Sequence, residues 1–182
     1  MTQFLATLGT GRSGTFLLHK ILSLYPNVES HHEFCIEHVQ KLSVLCRAGI
    51  VSADHAALQL REAHFSAMWY SQAKIFADSS NKLSLLIPSL LILFPQAKFV
   101  HLVRDGRRVT SSFFSKLKNE VYTDFWVNTL DKHIRDPKVY PSPPFCKPCF
   151  WPCPNPITEP RIYYKFIYEW NRFQRLCWFW QD

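Results

Sequence analysis

The chain has 182 residues, a length that suits one globular domain, and a hydrophobic fraction of 47% that excludes an intrinsically disordered protein. Its formal charge of +7 favours an anionic partner such as nucleic acid, a phosphorylated cofactor, a sulfated or acidic substrate or a membrane surface, with general surface basicity as the alternative. The longest apolar run, residues 83–94, is too short to span a bilayer. No signal-peptide pattern stands at the N-terminus, which favours a cytoplasmic protein with free thiols.

Hydrophobic periodicity predicts strands that alternate with helices along the chain. Strands are predicted at residues 4–8, 74–78 and 98–103, and helices at 15–24, 37–47, 53–73, 82–94, 107–117 and 161–180. This order is typical of an α/β fold, a three-layer domain with a central parallel sheet flanked by helices. We interpret residues 1–182 as a single domain, in which 136–160, with nine prolines and three cysteines, form a loop or insertion.

The segment 9–15, with the sequence Gly-Thr-Gly-Arg-Ser-Gly-Thr, follows the first predicted strand and opens the first predicted helix. Glycines let the backbone approach an anion, and the amides at a helix N-terminus point towards it. Arg12, Ser13 and Thr15 add a guanidinium and two hydroxyls. We therefore predict a site for the phosphate end of a nucleotide-type cofactor; the alternative is a tight turn without a ligand.

Two better-known phosphate loops fit this segment poorly. In the Walker A pattern, Thr15 would stand at the lysine position and Phe16 at the magnesium-binding hydroxyl position, which removes most of the support for ATP or GTP hydrolysis. The dinucleotide pattern is matched by the three glycines, but no acidic residue ends a second strand about 20 residues later.

A second motif, residues 103–112, follows the strand predicted at 98–103. Arg104 stands at the carboxyl end of that strand, where ligands of open α/β sheets collect, and Ser112 lies eight residues further on, in the next helix. Together they are candidates to bind a second phosphate by charge-assisted hydrogen bonds. In isolation, an arginine at the sheet edge and a serine on a helix face would be the simpler interpretation.

The two motifs in this order resemble the sulfotransferase family, which uses 3′-phosphoadenosine 5′-phosphosulfate. The likeness rests on Arg-Ser-Gly-Thr at 12–15, on Arg-Asp-Gly-Arg at 104–107 and on Ser112, and it runs from about residue 4 to 114. It implies a P-loop-type fold and in-line transfer of a sulfuryl group to an acceptor hydroxyl, on a carbohydrate, a tyrosyl residue or a small molecule, with no metal and no nucleic acid. It also implies donor contacts from Gly11, Arg12, Ser13, Gly14, Thr15, Phe16, Arg104 and Ser112.

The catalytic base is predicted from the segment Ser-His-His-Glu-Phe at 30–34. Glu33 looks like the catalytic glutamate of tyrosylprotein sulfotransferases, and Arg12 would lie near the transferring group. His32 is the rival, because other branches of the family use histidine, and solvated loop residues are the third interpretation. A metal site at residues 31–33 lacks a matching partner cluster.

Two further features leave alternatives open. Cys146, Cys149 and Cys153 have an irregular spacing, so free cysteines are favoured over a zinc site completed by Cys177 or His133. The resembled family continues for about a hundred residues more, which makes a truncated, catalytically weak or inactive nucleotide-binding member the second hypothesis. A P-loop nucleotide kinase is the third, and the absent loop lysine opposes it.

Overall fold

A computed structural model of the protein describes residues 2–47, 49–116 and 159–181. The chain divides into two compact units. The first comprises Met1–Cys46 and Val51–Arg104, and the second comprises Arg47–Ile50 and Asp105–Asp182.

The first unit contains a four-stranded, all-parallel sheet with the order β2-β3-β1-β4. Its strands are β1 (Gln3–Gly9), β2 (Val28–His31), β3 (Ile75–Asp78) and β4 (Lys98–Leu102). The predicted α/β class and three of these strands are thereby confirmed. The short edge strand β2 was not predicted, because its sequence Val-Glu-Ser-His has a single apolar residue and no period-2 signal.

Five helices belong to this unit: α1 (Thr15–Leu22), α2 (Ile36–Arg47), α3 (Ala53–Leu60), α4 (Ser66–Tyr70) and α5 (Ile87–Leu93). Ser52 begins α3 by accepting a hydrogen bond from the His55 amide at 3.2 Å, as a helix N-cap does. A π-helical turn, Arg61–Phe65, separates α3 from α4, and a 3₁₀ turn, Asn81–Leu86, precedes α5. The predicted helices 53–73 and 82–94 are therefore helical segments with a change of helix type inside them.

One face of the sheet packs on a hydrophobic core. Phe4 and Ala6 alternate with outward-facing residues along β1 and are buried, and the Phe4 ring stacks on Phe94 with 4.6 Å between the ring centroids. Burying an aromatic side chain of this kind stabilises the fold by about 1.5–3 kcal/mol. The other core residues come from the helices, the 3₁₀ turn and β3: Val39, Leu42, Ala56, Leu60, Met68, Phe76, Leu83, Leu86 and Leu90.

The second unit contains α6 (Gly106–Lys116), α7 (Pro160–Tyr164), a π-helical turn (Lys165–Glu169) and α8 (Arg172–Gln181). The single helix predicted over 161–180 is wrong, because Trp170 has extended backbone. Asn171 and Gln174 then start α8 with a reciprocal capping box, in which each side chain accepts from the other's amide at 3.0 and 2.9 Å.

Arg175 holds this helical break in place. It is 3% exposed, and its Nε donates to the Phe166 carbonyl at 2.7 Å. Carbonyls at a helix end otherwise lack partners, so a buried guanidinium satisfies them. The predicted loop 136–160 and its three cysteines lie outside the described residues. No helix in the part of the chain that the structure describes is long and apolar enough to cross a membrane.

Candidate active site

The four strands of the first unit run parallel, so the segments that follow them meet at one edge of the sheet. From β1 the chain crosses to β2 and β3 on one side and later returns to β4 on the other side. The carboxyl end of β1 is thus the point where the strand order reverses, which is where open α/β sheets bind their ligands. The predicted anion loop lies at this point, between β1 and α1.

Two glycines give the loop its shape. Gly9 has a φ of 148°, and a Cβ atom on it would lie 2.7 Å from the Leu102 carbonyl oxygen. Gly14, with a φ of 115°, is the N-cap of α1 and supplies no side-chain hydrogen bond to the helix amides. Ser84 fixes the base of the loop, since its Oγ accepts from the Gly9 amide at 2.9 Å and donates to the Gly9 carbonyl at 3.1 Å. The first amides of α1 therefore face the loop as potential anion donors.

The side chains of the loop divide into buried hydroxyls and exposed groups. Ser13 Oγ is buried, and within the described part of the chain it has no hydrogen-bond partner. Thr15 is also buried, whereas Arg12 is exposed and has a left-handed backbone with a φ of 68°. A buried hydroxyl without a hydrogen-bond partner costs free energy unless a ligand or a water molecule binds to it. The Ser13 hydroxyl is therefore suited to donate a hydrogen bond to an oxygen atom of a bound ligand.

Arg104 brings the two sequence motifs together. Its Nη1 donates to the backbone carbonyl of Arg12 at 2.8 Å, a contact between residues 92 positions apart. This hydrogen bond occupies one of the five guanidinium donors and holds the side chain against the loop. A second anionic group bound near Arg104 would therefore lie close to one bound by the loop.

The remaining residues of the second motif belong to the second unit. Asp105 Oδ1 accepts from the Arg107 amide at 2.9 Å and so caps the start of α6. The Arg107 side chain also binds both carboxylate oxygens, and chiefly this hydrogen bonding lowers the pKa of Asp105 to about 2. Ser112 lies on α6 and is half-buried. Asp105 and Arg107 thus have a local structural role that the motif alone did not indicate.

Glu33 lies in the turn that leads from β2 to α2, with a left-handed φ of 58°. Two hydrogen bonds join the preceding residues to the end of β3: the Ser79 amide donates to the His31 carbonyl at 2.9 Å, and His32 Nδ1 lies 2.8 Å from the Ser79 carbonyl. Because a carbonyl only accepts, His32 Nδ1 carries a proton, and in the neutral ring Nε2 keeps the lone pair. Both candidate bases therefore lie at the carboxyl edge of the sheet.

Lys82 is a charged residue of this edge that the sequence interpretation missed. It lies in the 3₁₀ turn after β3, is 5% exposed, and burial lowers its pKa to about 8, although the Glu33 carboxylate acts in the opposite direction. The sequence analysis predicts a helix over residues 82–94, in which Lys82 is the first residue and most of the others are apolar. A lysine three to four residues after a buried strand was the available signal, because such residues reach the ligand edge of the sheet.

A group of rings lies next to the loop on α1. Phe16 is 53% exposed, and its ring centroid is 5.2 Å from that of His32. Lys20 Nζ lies 4.8 Å from the Phe16 centroid, and the pKa of His19 is lowered by burial and by the charges of His32, His31 and Lys20. These side chains give this flank of the loop a basic and aromatic character.

Within the described ranges, no group of three or more His, Cys, Asp or Glu side chains is arranged to hold a metal ion. These ranges include the segment His31–Glu33, for which the sequence analysis considered a metal site. The cationic side chains of the segments that follow β1, β3 and β4 include Arg12, Lys82 and Arg104.

Comparison with known proteins places the chain in a family. The model of the sulfotransferase family matches residues 5–138, a range that includes the anion loop, Glu33, Lys82 and Arg104. No curated protein and no solved structure matches the chain. Because the family match covers more than half of the chain, the protein belongs to the sulfotransferase family, whose members are transferases of sulfur-containing groups.

Proposed function

We propose that the protein transfers a sulfuryl group from 3′-phosphoadenosine 5′-phosphosulfate to an acceptor hydroxyl, with Glu33 as the base. The observation that supports this most directly is the hydrogen bond from Arg104 to the Arg12 carbonyl, at 2.8 Å. A donor with phosphates at its 5′ and 3′ positions needs two anion sites at a short, fixed separation. The loop and Arg104 provide two such groups in one compact unit.

The 5′-phosphosulfate is assigned to the loop. The first amides of α1 are donors for this group, and the Ser13 hydroxyl donates to it the hydrogen bond that it otherwise lacks. The 3′-phosphate is assigned to Arg104, and the phosphate contact that the family resemblance implies for Ser112 stays a prediction. Charge-assisted hydrogen bonds of this kind contribute about 1.5–3 kcal/mol each.

The reaction exchanges one sulfur–oxygen bond for another. The acceptor oxygen attacks the sulfur in line, the bond between sulfur and the 5′-phosphate oxygen breaks, and the acceptor proton passes to the Glu33 carboxylate. Negative charge grows on the leaving phosphate, and the cationic groups Arg12 and Lys82 stabilise it. The products are the sulfated acceptor and adenosine 3′,5′-bisphosphate.

The donor site can be tested with the bisphosphate product by isothermal titration calorimetry. We expect the wild-type protein to bind it and Arg104→Ala to weaken binding by about 10–100-fold, the loss of one or two charge-assisted hydrogen bonds. Arg107→Ala is the matched control, because the Arg107 side chain is engaged with Asp105. Absence of binding by the wild type, or equal binding by Arg104→Ala, contradicts the assignment.

A further inference from the structure

A buried hydrogen-bonded pair, Asp78 and His64, lies next to the turn that carries the candidate base and has no part in the proposed donor site. Asp78 ends β3, and its Oδ2 lies 3.2 Å from Nε2 of His64, which belongs to the π-helical turn Arg61–Phe65. Both side chains are 0% exposed. Burying a carboxylate is costly unless hydrogen bonds satisfy its oxygens, so a pair kept in the interior calls for a specific role.

The other oxygen of Asp78 reaches the turn that carries Glu33. Asp78 Oδ1 accepts from the Phe34 amide at 3.2 Å, across 44 residues of sequence. Phe34 is flanked by two non-glycine residues in the left-handed region, Glu33 at a φ of 58° and Cys35 at 49°. Each such residue costs about 1–3 kcal/mol, and the conformation persists only where the surroundings determine it.

His64 also fixes the same turn through its ring. The Phe34 ring meets the His64 ring edge-on, with 5.1 Å between centroids and 80° between planes, and it packs in the same way on Phe76 at 5.4 Å. Each aromatic pair adds about 0.5–1.5 kcal/mol beyond the area it buries. The Phe34 amide and the Phe34 ring are thus both held by the pair, on the residue next to the candidate base.

We infer that Asp78 and His64 are positioning residues that hold the Glu33 turn in its left-handed conformation and so fix the carboxylate for proton abstraction. This inference rests on the proposed function. A general base must lie within hydrogen-bond reach of the proton it removes, and an error of about 1 Å in its placement costs about 100-fold in rate. A buried carboxylate with one oxygen on the Phe34 amide and the other on an imidazole restrains the turn at two points.

The test compares two replacements of His64. His64→Phe keeps an aromatic ring and leaves Asp78 Oδ2 without its donor, whereas His64→Gln keeps a donor that can reach the carboxylate. We expect His64→Phe to lower kcat by about 10–100-fold and His64→Gln to restore most of it. The affinity for adenosine 3′,5′-bisphosphate should stay within about twofold, because neither residue contacts the loop.

A double-mutant cycle with Glu33→Gln separates positioning from general damage. If His64 acts through Glu33, His64→Phe should lower the residual rate of Glu33→Gln by less than about threefold. An unchanged kcat in His64→Phe, an equal loss in both backgrounds, or a parallel loss of bisphosphate affinity overturns the inference. A wild-type protein without sulfotransfer activity contradicts the proposed function instead.

Hydrogen exchange gives a readout that does not depend on activity. The Phe34 amide should be protected in the wild type and should exchange at least tenfold faster in His64→Phe, while amides of β1 keep their protection. Asp78→Asn serves if His64→Phe does not fold, since it keeps the volume and one acceptor oxygen but loses the charge. It should lower kcat and speed Phe34 exchange as well; an unchanged Phe34 protection in the folded variants overturns the inference.

Discussion

The two edges of the parallel sheet in the first unit have opposite chemistry. At the carboxyl edge, the last residue of β3 and the four that follow it, Asp78–Lys82, are all polar and buried, and Glu33 and Arg104 follow the ends of β2 and β4. At the amino edge lies a cavity of about 640 Å³, lined by Thr2, Gln3, Phe4, Phe65, Met68, Trp69, Leu93, Phe94, Pro95, Gln96 and Ala97. None of these lining residues is charged.

The difference favours the carboxyl edge over the amino edge as the candidate site. A large apolar cavity is the usual first candidate for a ligand site, but the amino-edge cavity offers no cation to a phosphate or sulfate group. Burial of polar groups costs free energy, so their concentration at the carboxyl edge indicates a function that compensates for the cost. The contrast also predicts which substitutions change activity and which change stability.

The largest effect is expected from the candidate base. Glu33→Gln should lower kcat by about 10²–10⁴-fold, because the amide cannot accept the acceptor proton, and should leave bisphosphate binding intact. Sulfated product is measured with an isotopically labelled donor. Glu62→Gln, the same change at an exposed position, and Trp69→Ala at the amino edge are the controls and should stay within about twofold. Full activity in Glu33→Gln together with an inactive His32→Gln would transfer the role of base to His32.

The second effect compares the two glycines of the loop. Gly9→Ala should lower the free energy of unfolding by about 3 kcal/mol, because a φ of 148° is strained for alanine and its Cβ would lie 2.7 Å from the Leu102 carbonyl in β4. Gly14→Ala meets no atom within 4 Å, so only its φ of 115° is unfavourable and about 1 kcal/mol is expected. Urea unfolding of both variants measures the difference, and equal losses would contradict the contact with β4.

The parts of the site that were predicted from the sequence depend on local patterns. The loop 9–15 lies between a strand and a helix because the apolar run before it and the helical spacing after it are continuous in sequence. Parallel strands then place Arg104 at the same edge, since it follows a strand as well. The structure adds a contact that the sequence does not predict, the hydrogen bond of 2.8 Å from Arg104 Nη1 to the Arg12 carbonyl oxygen.

The parts that were missed depend on contacts between distant residues. His64 looks like one polar residue of an amphipathic helix until β3 brings Asp78 to it, 14 positions further on. Lys82 stands in a sequence typical of a helix start, and its burial follows from the packing of the 3₁₀ turn against the sheet. The strand β2 pairs with β3 through residues that carry almost no apolar signal. Apart from the position of Lys82 shortly after a buried strand, none of these features has a local pattern that distinguishes it from a surface residue.

The third effect, smaller than that of Gly9→Ala, is the stability cost of burying the Lys82 ammonium. Its pKa of about 8 in the folded protein lies below the ordinary lysine value of 10.5, so the folded state disfavours the charged form. Lys82→Met removes this penalty and should raise the free energy of unfolding by about 2 kcal/mol at pH 7. The penalty is fully present below pH 8 and disappears towards pH 10.5, because across that range the unfolded chain binds the proton and the folded chain does not.

Urea unfolding of the wild type and of Lys82→Met across this pH range measures the difference in their free energies of unfolding. The contributions of the other titrating groups cancel in this difference. The stabilisation should shrink as the pH rises, and Lys74→Met, a change at an exposed lysine, should show no such trend. A sulfotransfer assay on the same proteins should show that the more stable Lys82→Met variant is the less active one, since the proposed mechanism uses the Lys82 ammonium to stabilise the leaving phosphate. A Lys82→Met variant that is destabilised equally at pH 7 and pH 10 would contradict the lowered pKa of Lys82, and with it the free-energy cost of burying this charge at the carboxyl edge.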